Sequence, residues 1–191
     1  MDPKRAVAMA VAYFTWITFA VCMRYYFRRS RKVNTAKCWL MRCGGVCSLA
    51  QMAVLALCPL PAPSLVWAGV AAYVAANALF WWALATHGKE RPSFAFVPVV
   101  PPTFTDAGPY RLVRHPIYAA YMLAWLAGAV TCGQPWLLLM VAFMGAFYYG
   151  AARQEERLFL ASPHGPQYRR YRRRTGMFLP KLFPGSSRRA A

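Results

Sequence analysis

The sequence predicts an all-α, polytopic membrane protein with about five transmembrane helices and a basic C-terminal helical tail. Three observations predict it. Apolar residues make up 59% of the 191 and come in long blocks. Charged residues make up 15%, where a soluble domain carries about 25%. The 23 Lys and Arg stand against 5 Asp and Glu, and they gather mainly between and after the blocks.

A span takes about 20 apolar residues. Block one, residues 6–27, is too long for a signal-peptide core and lacks a small-residue cleavage pattern, so it reads as a retained span. Block two covers 38–58, with Arg42 near its start, and block three covers 64–86. A non-helical segment rich in proline follows, then block four at 116–132 and block five at 135–151. Gly133 and Gln134 alone separate these two, and Pro135 is read as opening the fifth helix, giving one tight hairpin. The chain is one membrane domain: three N-terminal spans over 1–86, a cytosolic connector over 87–115, the hairpin over 116–152, and a cytosolic or interfacial tail over 153–191.

With five spans, 21 of the 23 cationic side chains fall on one side and only Lys4 and Arg5 on the other. The positive-inside rule then places the N-terminus outside and the tail in the cytosol. The same bias assigns the basic face to anionic lipid head groups, with no nucleic-acid partner. The six cysteines lie mostly in apolar blocks without zinc-type spacing, and they read as small buried hydrophobes, with no metal site. Oligomeric state is not read from this pattern.

Chemistry is expected where the connector meets helix four. Pro116 suits a first helical position, and His115 before it is pushed out of helical geometry. The amides of Ile117, Tyr118 and Ala119 are then expected to be free, flanked by Arg114 and His115, which makes an anion-attracting helix start. The adjacent Glu155 and Glu156 are placed just past the end of helix five. Either Arg153 and Arg157 neutralise them, or they solvate a helix end, or a carboxylate accepts hydrogen bonds from a polar, cationic ligand. In the tail, Tyr168 and Tyr171 share one helical face, and the apolar run after Gly176 is expected to lie back on the membrane interface.

Gly108-Pro109-Tyr110, then Arg114-His115-Pro116 with Tyr118, then Glu155-Glu156, then Tyr168, Tyr171, Thr175, Gly176 and Pro180 occur in the order of one known family. This pattern, over about residues 105–183, resembles the isoprenylcysteine carboxyl methyltransferases and their phospholipid methyltransferase relatives. The resemblance implies an integral membrane enzyme using S-adenosylmethionine. It implies cofactor contacts at Tyr110, His115, Pro116, Tyr118, Glu155 and Glu156. The acceptor it implies is lipophilic or small: an isoprenylcysteine-like carboxylate, a lipid amine or a thiol. Arg111, Arg114, Arg153 and Arg157 are candidates to hold an anionic acceptor, and Glu156 or His115 to deprotonate an amine; His87 is read as interfacial. An NADPH-dependent, sterol-reductase-like enzyme and a non-catalytic membrane scaffold are the alternatives.

Overall fold

The computed structural model describes residues 2–26, 35–87 and 105–181. Among them it holds six α-helices and no β-strand: α1 Pro3–Tyr25, α2 Thr35–Leu57, α3 Pro63–His87, α4 Pro116–Cys132, α5 Leu137–Ala161 and α6 Gly165–Arg174. A 3-10 turn, Gly108–Arg111, precedes α4. The loop between the first two blocks, most of the proline-rich connector and the last ten residues lie outside the described residues.

Each helix starts where the chain supplies a start. Asp2 caps α1, accepting from the Lys4 amide at 3.0 Å, with Pro3 beside it. Pro63 and Pro116 open α3 and α4. Gly133, at φ 65°, ends α4 and returns its amide to the carbonyls of Ala129 and Val130.

The fifth helix corrects the sequence reading. It begins two residues after Pro135 and runs ten residues beyond the apolar block ending at 151. Apolarity stops there, but helix propensity does not. Ala-Ala-Arg-Gln-Glu-Glu-Arg-Leu-Phe-Leu has no Gly or Pro, and the helix stops at Ser162-Pro163. Glu155 and Glu156 are therefore inside α5, not past its end.

The helices pack through small residues. α3 and α4 make the most extensive contact. Near the start of α3 a β-carbon on Gly69 would collide with Thr131 Oγ1, close to the end of α4, and would stand 2.9 Å from the Ala127 carbonyl oxygen. Such close backbone approach suits helix pairing in lipid, where burial of apolar surface alone gives no drive. Gln51 of α2 donates to the Trp125 carbonyl at 3.0 Å, and Asn77 of α3 donates to Thr15 Oγ1 of α1 at 2.7 Å. Around these polar ties sits an aromatic pile: Trp16 on Trp125 at 4.4 Å and Phe19 on Phe80 at 4.5 Å between ring centroids. Leu49, Leu57 and Leu139 face outward, at least 73% exposed. Gly69→Val should separate α3 from α4. The purified variant should lose monodispersity in detergent and melt well below wild type; a wild-type melting temperature would contradict this packing.

The bundle has two distinct ends. At one, Arg5 donates to the carbonyls of Ala56 and Cys58, and Pro61 lies against Gly133. At the other, the end of α3 meets Gly108, and the start of α4 meets α5 and the tail. α1 and α3 are long and apolar enough to cross a membrane, and 41–57 and α4 are shorter apolar helices.

Candidate active site

The second end gathers most of the residues singled out in sequence. His115 takes φ −128° and ψ 64°, outside helical geometry, as the following proline dictates. Its ring is buried and stacks on Tyr118 at 5.6 Å and 16°. It lies between two carboxylates: Nδ1 is 3.6 Å from Glu155 Oε2, and Nε2 is 3.4 Å from Glu156 Oε1. The Tyr118 hydroxyl donates to Glu155 Oε1 in a short bond. Glu155 and Glu156 are neighbours on α5, so both can reach the mouth of α4 only because the two helices form a hairpin.

Glu156 is almost completely buried and accepts from Arg114 Nε at 2.7 Å. Arg172 of α6 stands 3.4 Å from its other oxygen. Arg114 is also spent on the tail, donating to the carbonyls of Thr175 and Arg172. The tail completes the clasp. Arg114 N donates to the Gly176 carbonyl at 2.8 Å and His115 N to that of Met177 at 3.1 Å, while Tyr171 OH donates to the Tyr110 carbonyl at 2.7 Å. Tyr168 and Tyr171 are both buried on the inner face of α6, and Met177 and Phe178 pack against the core.

Several expectations need correction. Of the three amides at the start of α4, that of Ala119 is engaged, donating to the His115 carbonyl at 2.9 Å. Those of Ile117 and Tyr118 have no backbone acceptor among the described residues. Arg153 and Arg157 do not neutralise the glutamates; Arg114, His115 and Arg172 do. Arg153 lies over the half-exposed Tyr149 ring, outside the cluster. His87 is more than interfacial: its Nε2 is 2.7 Å from the Tyr110 hydroxyl, tying the end of α3 to the 3-10 turn. Tyr148, two turns before Glu155 on α5, stacks under Tyr118 at 5.8 Å. Its spacing from Glu155 was the signal available for it; Arg172, one of a run of arginines, carried none.

Charge and burial compete here. Burial alone would raise the Glu156 carboxyl, but hydrogen bonds from His115 and Arg114 and their charges outweigh it and hold the group below its ordinary 4.5. Burial alone would lower His115, yet the two glutamates lift it above its ordinary 6.5. A lowered Glu156 stabilises the fold above pH 4.5, and that contribution fades as pH falls through its folded value. A raised His115 stabilises it below pH 6.5, and that contribution fades as pH rises through its folded value. Both are whole between pH 4.5 and 6.5. The melting temperature should fall on either side, and His115→Gln should abolish the alkaline fall. An alkaline fall of equal size in that variant would contradict the assignment.

His115 Nε2 and Glu156 Oε2 are buried and make only long contacts of 3.4 Å, to Glu156 Oε1 and to Arg172 Nε. Contacts this long leave hydrogen-bonding capacity in a buried cluster, which suits the receipt of further polar atoms. Beyond Tyr118 opens a cavity of about 210 Å³ among α1, α2, α4 and α5, walled by the rings of Trp16, Phe19, Tyr118, Tyr121, Trp125 and Tyr148.

Residues 64–167 match the model of the phospholipid methyltransferase family, more than half of the chain. The chain belongs to the phospholipid methyltransferase family. The matched segment carries all of α3 but its first residue, all of α4 and α5, and both glutamates. The family is membrane-associated, in keeping with the apolar helices. Among named relatives, methanethiol S-methyltransferase 2 of Bradyrhizobium diazoefficiens is 37% identical over 75 residues, 39% of this chain and 27% of its own. The cobalt-zinc-cadmium resistance protein CzcN of Cupriavidus metallidurans is 37% identical over 81 residues, 42% of this chain and 37% of its own. The methanethiol S-methyltransferase of Pseudomonas deceptionensis is 35% identical over 80 residues, 40% of this chain and 29% of its own. The matches thus span between about a quarter and somewhat over a third of these curated relatives.

Proposed function

We propose that the chain is an S-adenosylmethionine-dependent membrane methyltransferase. In this reading five helices cross the bilayer, the N-terminus is outside, and the tail lies in the cytosol against anionic head groups. The single observation that carries it is the cluster at the mouth of α4: His115 between Glu155 and Glu156, Tyr118 bonded to Glu155, and buried polar atoms held only by long contacts.

The donor set fits the proposed cofactor. S-Adenosylmethionine is zwitterionic, with a diol and a sulfonium. The amides of Ile117 and Tyr118 at a helix start suit its carboxylate. Glu155, about a quarter exposed, suits the ribose hydroxyls or the ammonium, and Tyr110 and His115 border the same space. When bound, the cofactor supplies an already activated methyl group. The chain itself is left with alignment and exclusion of water. Arg114 and Glu156 form the buried pair that fixes His115 and anchors the tail over the site. That makes them positioning residues, in place of the substrate-holding and base roles read from sequence. Tyr148 supports the Tyr118 ring from below.

The acceptor reaches the site through the aromatic cavity, and is lipophilic or small. Membership of the phospholipid methyltransferase family supports this reading over a reductase or a scaffold. The test is transfer of labelled methyl from S-adenosylmethionine, with detergent-solubilised protein, to a panel of prenylcysteines, phosphatidylethanolamine and small thiols. Labelled product with at least one class is expected; none, with folded protein that ignores the cofactor, overturns the proposal. Topology has its own check. Single cysteines in a cysteine-free background at Asp2 and Ser187 should label from opposite sides, and labelling of both from one side contradicts five spans.

A further inference from the structure

We infer that the aromatic cavity selects an uncharged alkyl thiol as methyl acceptor, and that the Tyr121 hydroxyl orients it. The inference rests on the methyltransferase reading and narrows its acceptor. None of the described residues lining the cavity is charged. A carboxylate or an ammonium placed there would shed its hydration and meet no counter-ion, which is heavily unfavourable. Among groups uncharged at neutral pH, a thiol keeps useful nucleophilicity through its few per cent of thiolate.

Tyr121 supplies the second observation. It lines the cavity, is 5% exposed, and its hydroxyl has no hydrogen-bond partner. Its neighbour Tyr148 shows the contrast, since that hydroxyl accepts from Trp125 Nε1 at 3.2 Å. A buried phenol without a partner weakens the fold unless a ligand meets it. Size adds a third constraint. At about 210 Å³ the space far exceeds a one-carbon thiol, and it falls short of the ~300–1,000 Å³ of pockets for drug-sized molecules. The α2 wall is open at Gly45, where an added β-carbon would meet nothing within 4 Å.

The chemistry balances. The acceptor sulfur forms its bond to the methyl carbon as the methyl's bond to the donor sulfonium breaks, and the donor leaves as a neutral thioether. The thiol proton passes to the Tyr118 oxygen as that hydroxyl gives its own proton to Glu155. Glu155, partly exposed, returns it to water.

The test uses the full chain in detergent with labelled S-adenosylmethionine. Hexanethiol should exceed methanethiol in kcat/KM, by up to about fourfold per added methylene while the chain stays in the cavity. Phosphatidylethanolamine and farnesylcysteine should be poor acceptors. Tyr121→Phe should lower kcat/KM for hexanethiol about tenfold, the worth of one oriented hydrogen bond, with cofactor affinity unchanged. Gly45→Phe, which fills the cavity from its open wall, should erase the hexanethiol preference. Hexyl methyl sulfide should raise the melting temperature of wild type and not of Gly45→Phe. A charged acceptor preferred by wild type, or both variants behaving as wild type, overturns the inference while methyl transfer itself stands. Absence of cofactor binding by wild type overturns the inference and the reading beneath it together.

Discussion

Glu156→Ala should be among the most damaging single changes in the molecule. It strands Arg114, whose guanidinium is buried beneath the tail, and removes one of the two carboxylates around His115. Breaking a buried pair by deleting one partner costs about 3–5 kcal/mol. The variant should melt far below wild type, and limited proteolysis should cut first between α6 and Lys181, because the carbonyls of Thr175 and Gly176 are held through Arg114. Glu156→Gln keeps the shape and one acceptor oxygen, so its loss should be smaller. Equal melting temperatures for Ala and wild type would show that the tail is clasped by other contacts.

Glu155→Gln should act on binding more than on folding. Glu155 bonds Tyr118 and faces His115, but it is partly open to solvent and does not hold the tail. Removing its charge should weaken S-adenosylmethionine binding by about 1–3 kcal/mol, the worth of a charge-assisted hydrogen bond. His115→Ala should weaken it similarly. The double variant should lose less than the two single losses combined, because one ring and one carboxylate meet one ligand. Strict additivity, measured by calorimetric titration, would place the two side chains in separate environments.

The contrast between these variants follows from how much of the site was legible in sequence. Helix α4 was readable to the residue, because Pro116 and Gly133 punctuate it chemically. The juxtaposition of the α4 start with the glutamates was readable too, because the short connection, residues 133–136 in the structure, forces the hairpin. Helix α5 was misjudged because the end of an apolar block is the end of a span, whereas a helix continues while its backbone hydrogen bonds can form. That misreading put Glu155 and Glu156 on a solvated end and paired them with their sequence neighbours Arg153 and Arg157. The partners they take, Arg114, His115 and Arg172, come from two other segments, the residues before α4 and helix α6. The reciprocal hold between 113–115 and 175–177 leaves no periodic trace, since it is made by backbone groups. The polar ties of Gln51 and Asn77 were hidden for a related reason: one amide in an apolar block does not announce its partner.

In the proposed function, the mouth of α4 and the α5 glutamates form the walls of an S-adenosylmethionine site. Ligand-induced thermal stabilisation of the wild-type chain in detergent tests it most directly, with S-adenosylmethionine and NADPH run side by side. A saturable rise in melting temperature is expected with S-adenosylmethionine, diminished in Glu155→Gln, and no rise with NADPH. A rise with NADPH alone, or with neither ligand, would contradict it.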